Sequence, residues 1–171
     1  MRYVYLDASS GLSGDMCLAA LLDLGVDPAL FRERMSGLRL PVAIRARRVR
    51  RAGFAAMKVD VEVLRRKPVE RTFADVERIV LKSRFAPAVK DRARLVFKRL
   101  FEAEAKVHGR PFRKAHLHEA GADDALVDIV GTAFLLEELG VRDVHCSPLN
   151  VGSGWIETSH GRLPVPPPAV A

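Results

Sequence analysis

The sequence has few cysteines and no long apolar run, and each shortage excludes a class of protein. Its two cysteines, Cys17 and Cys146, lie far apart and form no C-x-x-C motif, which excludes a disulfide framework and favours a reducing compartment. Nowhere do roughly eighteen apolar residues follow one another, so we expect no transmembrane helix. The first apolar run ends at Asp7 and is too short for a signal peptide. We therefore expect a cytoplasmic protein that does not bind a membrane.

Aromatic residues are also scarce, at 6% of the chain. This matters because residues 1–114 hold 26 Lys and Arg against 13 Asp and Glu, whereas residues 115–171 hold two against eight. Five of the arginines lie close together: Arg45, Arg47, Arg48, Arg50 and Arg51. No aromatic side chain lies among them to stack on bases, so a solvated strand face or a dock for an anionic partner is favoured. A basic nucleic-acid-binding module remains an alternative, and we expect no nucleic-acid partner.

The order of predicted elements indicates an α/β fold, with α+β as the alternative, built on one mixed β-sheet with helices packed on it. A β-hairpin is predicted near residues 42–64, where apolar and charged residues alternate on both sides of a turn. The other predicted elements are strands at 3–6 and 144–151 and helices that begin at Asp15, Asp27-Pro28, the Thr72–Asp75 capping box, residue 88 and Glu119.

The stretch HLHEAGADDALVDIVG, from His116 to Gly131, places two histidines, a glutamate and three aspartates at the start of an apolar helix pattern. On an extended segment, His116 and His118 would point to the same side. Glu119 would then lie near the helix N-terminus, and we predict it as a catalytic residue. Imidazole and carboxylate groups together are typical ligands of nickel, zinc or manganese. The alternative is that the acidic residues only stabilise the helix N-terminus.

Two aspartates of the same stretch share one helix face. Asp124 and Asp128 are four residues apart, and Asp128 lies inside the apolar run Leu126–Val130. A buried carboxylate needs a cation, a metal or several hydrogen-bond donors. We therefore predict four metal ligands: His116, His118, Asp124 and Asp128.

A second polar group, DASSGLSGD, connects the first strand to the first helix. Its backbone N–H groups would point at an anion, and Asp7 would hold a cation beside it. No lysine follows the glycines, which excludes a P-loop. We predict Asp7 and Asp15 as catalytic residues and Ser13 and Gly14 as cofactor-binding residues. The alternative is a tight turn capped by Ser13.

A third group, NVGSG followed by SHG, lies after the last predicted strand. Gly152 and Gly154 would let the backbone approach a ligand closely, although a G-x-G spacing alone is a weak signal. We predict that Asn150, Gly152, Gly154 and His160 bind a cofactor.

Three motifs together resemble one known family. YLDASSGLSGDM, HLHEAGADDALVDIVG, and CSPLNVGSG followed by HGRLPVPPPA resemble the LarC family of nickel-insertion proteins, in family order from Tyr5 to Ala169. Position 17, often aromatic in the family, is a cysteine here. A thiol at that position would be a soft metal ligand or a small core residue.

The resemblance implies a CTP-dependent nickel chelatase of the lyase class. Such an enzyme places nickel between two sulfurs and a ring carbon of pyridinium-bisthiocarboxylate mononucleotide, which gives the nickel-pincer nucleotide cofactor of lactate racemase-type enzymes. Family members are considerably longer, so residues 1–171 are expected to form a single N-terminal domain, inactive alone. The family binds CTP, with manganese or magnesium, in its C-terminal part. The implied partners are the mononucleotide and that C-terminal part, and a homo-oligomer is left open.

Three expectations follow for the site. Sites in such sheets gather at strand carboxyl ends, so Asp7 should lie near residues 116–119. The histidines and Asp128 should bind nickel in preference to magnesium, and more weakly as the pH falls through about 6.5. A metal-dependent phosphohydrolase built on Asp7 and Asp128 is the remaining alternative.

Overall fold

A computed structural model describes residues 2–65, 69–117, 123–158 and 161–170. The helices are α1 Gly14–Asp23, α2 Pro28–Ser36, α3 Phe73–Lys82, α4 Pro87–Val107 and α5 Asp123–Glu138, with a short 3-10 turn at Phe112–Lys114. The strands are β1 Arg2–Leu6, β2 Val42–Arg51, β3 Phe54–Val63, β4 Arg71–Thr72, β5 His116–Leu117, β6 Val141–Cys146, β7 Trp155–Thr158 and β8 Gly161–Pro164. The predicted mixed α/β class is confirmed.

The described strands pair differently from the single mixed sheet predicted. They form four two-stranded sheets: β1 with β6 in parallel, and β2–β3, β4–β5 and β7–β8 antiparallel. Helix α5 packs on both β3 and β6. Strand pairing depends on partners distant in the chain, and alternation within one strand does not reveal which partner it takes.

Local signals predicted several elements correctly. The Asp27 side chain accepts a hydrogen bond from the Ala29 N–H at 2.8 Å and caps α2. Thr72 and Asp75 form a capping box at the start of α3. The hairpin turn contains Ala52, with φ 47°, and Gly53, with φ 87°. Such a two-residue turn with positive φ matches the twist of the strands that it joins.

One local prediction was wrong. The strand predicted at 144–151 ends at Cys146, and Pro148, which lacks an N–H to donate to a strand ladder, follows two residues later. On α4, Val96 is 46% exposed, whereas its neighbour Phe97 is buried. Phe97 lies on the buried stripe that runs from Val89 to Phe101 and on to Ala105.

The core lies where α1, α2, α4 and α5 meet, and its largest fully buried side chains include Leu18, Phe31, Phe97, Phe101, Leu126 and Leu135. Gly131 allows the helices to approach closely, because a Cβ at this position would lie 2.8 Å from Leu18 Cδ2 and 3.0 Å from Phe31 Cε2. Among the helices within the described ranges, none has the length and apolar character needed to cross a membrane.

Candidate functional site

The second and third polar groups, DASSGLSGD and NVGSG, meet at the carboxyl end of the parallel β1–β6 pair. Leu6 is paired with Cys146, and two hydrogen bonds continue the association: Ser147 N donates to Leu6 O, and Ala8 N donates to the side-chain Oγ of Ser147. Asn150 then donates from its backbone N to Ala8 O at 3.2 Å. The loops that follow the two strands therefore lie side by side.

Asn150 connects these two loops through its side chain as well. Its Nδ2 donates to Ser9 O at 3.0 Å, and its Oδ1 accepts from Gly152 N at 3.0 Å. Gly152 has φ 77° and Gly154 has φ 103°, conformations that favour glycine. These three residues therefore shape the loop, and their binding of a cofactor stays a prediction. His160 lies outside the described residues.

Asp7 is an exposed carboxylate at the end of β1. Hydrogen bonds from the backbone and then the side chain of Ser9 lower its pKa below the usual range. The Ser9 N–H lies 3.0 Å from Asp7 Oδ1. Asp7 is therefore held in its charged form, which suits a cation ligand better than a proton acceptor.

The start of α1 carries Asp15, which lies in the first turn of the helix. Ser13 occupies the N-cap position in an extended conformation, but its side chain makes no capping bond. Its hydroxyl instead donates to the Asp15 carboxylate. The alternative of a turn capped by the Ser13 side chain is therefore wrong, because Asp15 takes that hydroxyl.

Asp128 is the most perturbed carboxylate of this region. Burial, followed by the negative charges of Asp124 and Asp15, raises its pKa to about 6. Its Oδ1 is inaccessible to solvent and has no hydrogen-bond partner among the residues that the structure describes. A buried carboxylate oxygen without a donor is costly and is a typical property of functional sites.

Gly14 lies directly against Asp128. A Cβ at position 14 would approach the Asp128 carboxyl group and lie 2.5 Å from the Asp128 Cβ. The glycine therefore makes room for this carboxylate between α1 and α5. We predicted Gly14 for its backbone N–H, whereas the structure gives it a steric role that sequence spacing does not show.

Two thiols lie in the same neighbourhood. Burial raises the pKa of the half-buried Cys17, and the charges of Asp128 and Asp15 and the thiol of Cys146 raise it further. Cys17 is thus held as a neutral thiol in the field of the carboxylates. A metal ion would favour its deprotonation and could take it as a soft ligand.

The neighbouring carboxylate Asp123 has fully paired oxygens, in contrast to Asp128, and the sequence does not indicate this difference. It is 2% exposed and accepts hydrogen bonds from Arg71 and from Arg65 Nε, the latter at 2.9 Å. Arg71 itself is 5% exposed. The partners are more than fifty residues away in the chain, so no local signal identifies them.

His116 is half-buried on β5, where it pairs with Thr72 of β4. His118 and Glu119 lie outside the described residues, so their role and their distance from Asp7 stay predictions. Among the residues that the structure does describe, no group of three or more His, Cys, Asp or Glu side chains is positioned to hold a metal ion. Asp15, Asp124 and Asp128 are close enough to interact electrostatically, but they are not arranged as a coordination shell.

The arginines of the β2–β3 hairpin are partly neutralised. Arg45 pairs with Glu62 at 3.0 Å, Arg47 pairs with Asp60 at 3.2 Å, and Arg48 pairs with Asp23. These ion pairs reduce the positive charge that the hairpin offers to phosphates.

A sequence model of the nickel insertion protein family matches residues 4–171. Curated relatives of this chain carry the name "Putative nickel insertion protein". The one from Geobacter metallireducens is 47% identical over 100% of this chain and 44% of its own length. The one from Thermomicrobium roseum is 46% identical over 100% and 42%, and the one from Synechococcus sp. is 45% identical over 99% and 43%. The chain thus spans less than half the length of these relatives, and no solved structure matches it.

Proposed function

Because the chain belongs to the nickel insertion protein family, we propose that it binds nickel as the substrate of an insertion reaction. The observation that carries this proposal is Asp128, whose buried Oδ1 has no partner within the described part of the chain. A divalent cation would supply the positive charge that this oxygen lacks. It would also lower the pKa of Asp128, since a bound cation favours the carboxylate form.

The proposed nickel donors come from two parts of the chain. Asp128, with Asp124 and Asp15 nearby, offers carboxylates, and Cys17 offers a soft sulfur. His116 and His118 would add imidazoles, which favour nickel over magnesium. A metal that must be handed on needs exchangeable ligands and open coordination positions. Within the described residues, no group of three or more such side chains is positioned to hold a metal ion.

The resemblance supports a finer assignment as part of the same proposal. The acceptor is pyridinium-bisthiocarboxylate mononucleotide, and the product is the nickel-pincer nucleotide. The N-terminal turn of α1, with Ser13 and Gly14, is the proposed contact for the phosphate of the mononucleotide, because helix N-termini favour anions. CTP, with manganese or magnesium, is assigned to the part of the relatives that this chain does not match. Asp7, Asp15 and Glu119 remain the proposed catalytic residues.

Calorimetric titration with nickel at neutral pH tests the metal site. Asp128→Asn should weaken binding by about tenfold or more, which corresponds to about 1.4 kcal/mol. Asp91→Asn is the matched control, because the Asp91 side chain is 73% exposed on α4. The control should bind nickel as the unmodified chain does. An unchanged affinity in Asp128→Asn would remove this residue from the site.

The histidines are tested in the same titration. His116→Ala and His118→Ala should each weaken nickel binding about tenfold, and affinity should fall as the pH drops through about 6.5. His108→Ala is the control, since His108 contacts Glu104 at 3.1 Å at the end of α4. No nickel binding at neutral pH would contradict the proposal. Turnover of a generic phosphoester with manganese would favour the phosphohydrolase alternative instead.

A further inference from the structure

The chain from Ser147 to Val170 contains apolar side chains, yet none of its described residues is buried. Leu149 is 58% exposed, Trp155 63% and Ile156 49%. Trp155 is the single tryptophan of the protein, and its ring is contacted by the Arg162 guanidinium at 5.1 Å. Apolar side chains concentrated on the surface in this way are typical of an interaction site.

This segment is nevertheless ordered by its own hydrogen bonds. Strands β7 and β8 pair from Trp155–Pro164 to Thr158–Gly161, and Val165 N donates to Gly154 O at 2.9 Å. Asn150 holds the segment to the loop after β1. We call residues 147–158 and 161–165 the hairpin segment. Its apolar side chains are therefore presented on a preformed backbone, which lowers the entropic cost of binding.

The strand pair from which the hairpin segment leaves is also incompletely covered. On β1, Tyr3 is 69% exposed and Tyr5 61%, and His145 of β6, which is paired with Tyr5 and so lies on the same face, is also exposed. Parallel strands in folded proteins are almost always covered on both faces, and two strands alone are rarely stable. Within the described residues, β1 and β6 pair only with each other.

The length of the relatives indicates which partner would cover this exposed surface. More than half of each of the three relatives lies outside the region that this chain matches. We propose that the hairpin segment and the exposed face of the β1–β6 pair together dock this unmatched part of the nickel insertion proteins. Such docking would cover the loops that carry Asp7 and Asn150 and thereby enclose the candidate site. The inference rests on family membership and not on nickel chemistry, so a failed nickel titration leaves it standing.

Hydrogen–deuterium exchange tests the docking. The unmatched part of the Geobacter metallireducens relative is joined to this chain in the order found in that relative, and exchange is compared with that of the 171-residue chain alone. Peptides that cover residues 149–157 and β1 should exchange at least about tenfold more slowly in the joined protein than in the 171-residue chain. Peptides of the β2–β3 hairpin are the internal reference and should keep their rates.

Surface variants separate docking from folding. Trp155→Ser and Tyr5→Ser remove exposed side chains, so the 171-residue chain should keep its unfolding temperature, while the joined protein loses the protection. Phe54→Ser is the control, because Phe54 lies in the β2–β3 hairpin and is 77% exposed. This variant should change neither the unfolding temperature nor the protection from exchange. Unchanged exchange in the joined protein would overturn the proposal. A dimer of the 171-residue chain that Trp155→Ser dissociates in sedimentation would also overturn it, because a second copy would then be the occupant.

Discussion

Helix α5 begins with two carboxylates in opposite environments, separated by little more than one turn. Asp123 is buried against Arg71 and Arg65 and has a donor for each of its oxygens. Asp128 is half-buried beside Asp124 and Asp15, and its Oδ1 has no donor within the described residues. The first arrangement stabilises the fold, whereas the second costs stability and leaves a negative charge available for a ligand. A carboxylate that a fold retains at such a cost is a better candidate for function than one that is fully paired.

The largest effect is expected at the paired end of α5. Asp123→Asn should reduce the free energy of unfolding by about 3–5 kcal/mol, because it removes the negative charge that is paired with Arg71 at a buried position. Urea denaturation measures this change. The double variant Arg71→Met/Asp123→Leu should be more stable than either single variant, since it removes both buried charges. A loss below about 0.5 kcal/mol, the size expected for an exposed site, would show that the Asp123 ion pair does not stabilise the fold as proposed.

The next effect concerns the space that Gly14 leaves for Asp128. Gly14→Ala should destabilise the protein by about 1–3 kcal/mol, because the new Cβ overlaps the Asp128 side chain. Helix propensity alone predicts the opposite sign, since alanine is favoured over glycine in helices. Thermal unfolding separates these effects, and Gly14→Val should be worse than Gly14→Ala. An increase in stability on Gly14→Ala would show that Asp128 moves aside freely.

The sequence predicted the unusual state of Asp128 but not that of Asp123. Asp128 interrupts an apolar run, and a charged residue within such a run of a helix is predicted to be at least partly buried. Asp123 resembles its neighbour Asp124, and the difference between them depends on Arg71, which β4 brings from a distant part of the chain. Local features such as the Asp27 cap could be predicted from the sequence, because the interacting groups are neighbours in the chain. The pairing of β1 with β6 and the contact between Gly14 and Asp128 could not be predicted, because tertiary packing determines them.

The unpaired end of α5 should respond with the opposite sign to the paired end. The folded pKa of Asp128 is about 6, above its usual value of 3.8, so the charged form is disfavoured in the folded state. Stability therefore falls as the pH rises from about 4 to 6. Above pH 6, Asp128→Asn should raise the free energy of unfolding by about 1–2 kcal/mol, a figure reduced for partial solvent access. Below pH 4 the difference should vanish, since both states are protonated. Urea denaturation at pH 4 and pH 8 checks this, and a loss of stability at pH 8 would show that Asp128 has a structural partner.

The smallest expected effect is a change in the pKa of Asp128 when a neighbouring carboxylate is removed. Burial is the largest cause of its raised pKa, and the charges of Asp124 and Asp15 follow in that order. Asp124→Asn should therefore lower the Asp128 pKa by a fraction of a pH unit, and Asp15→Asn should lower it by less. Carboxyl carbon chemical shifts followed by NMR against pH measure both values, with Asp91→Asn as the control for a distant charge. If neither variant moved the titration, burial alone would account for the raised pKa of Asp128. The carboxylates would then be too weakly coupled for one cation to neutralise them together.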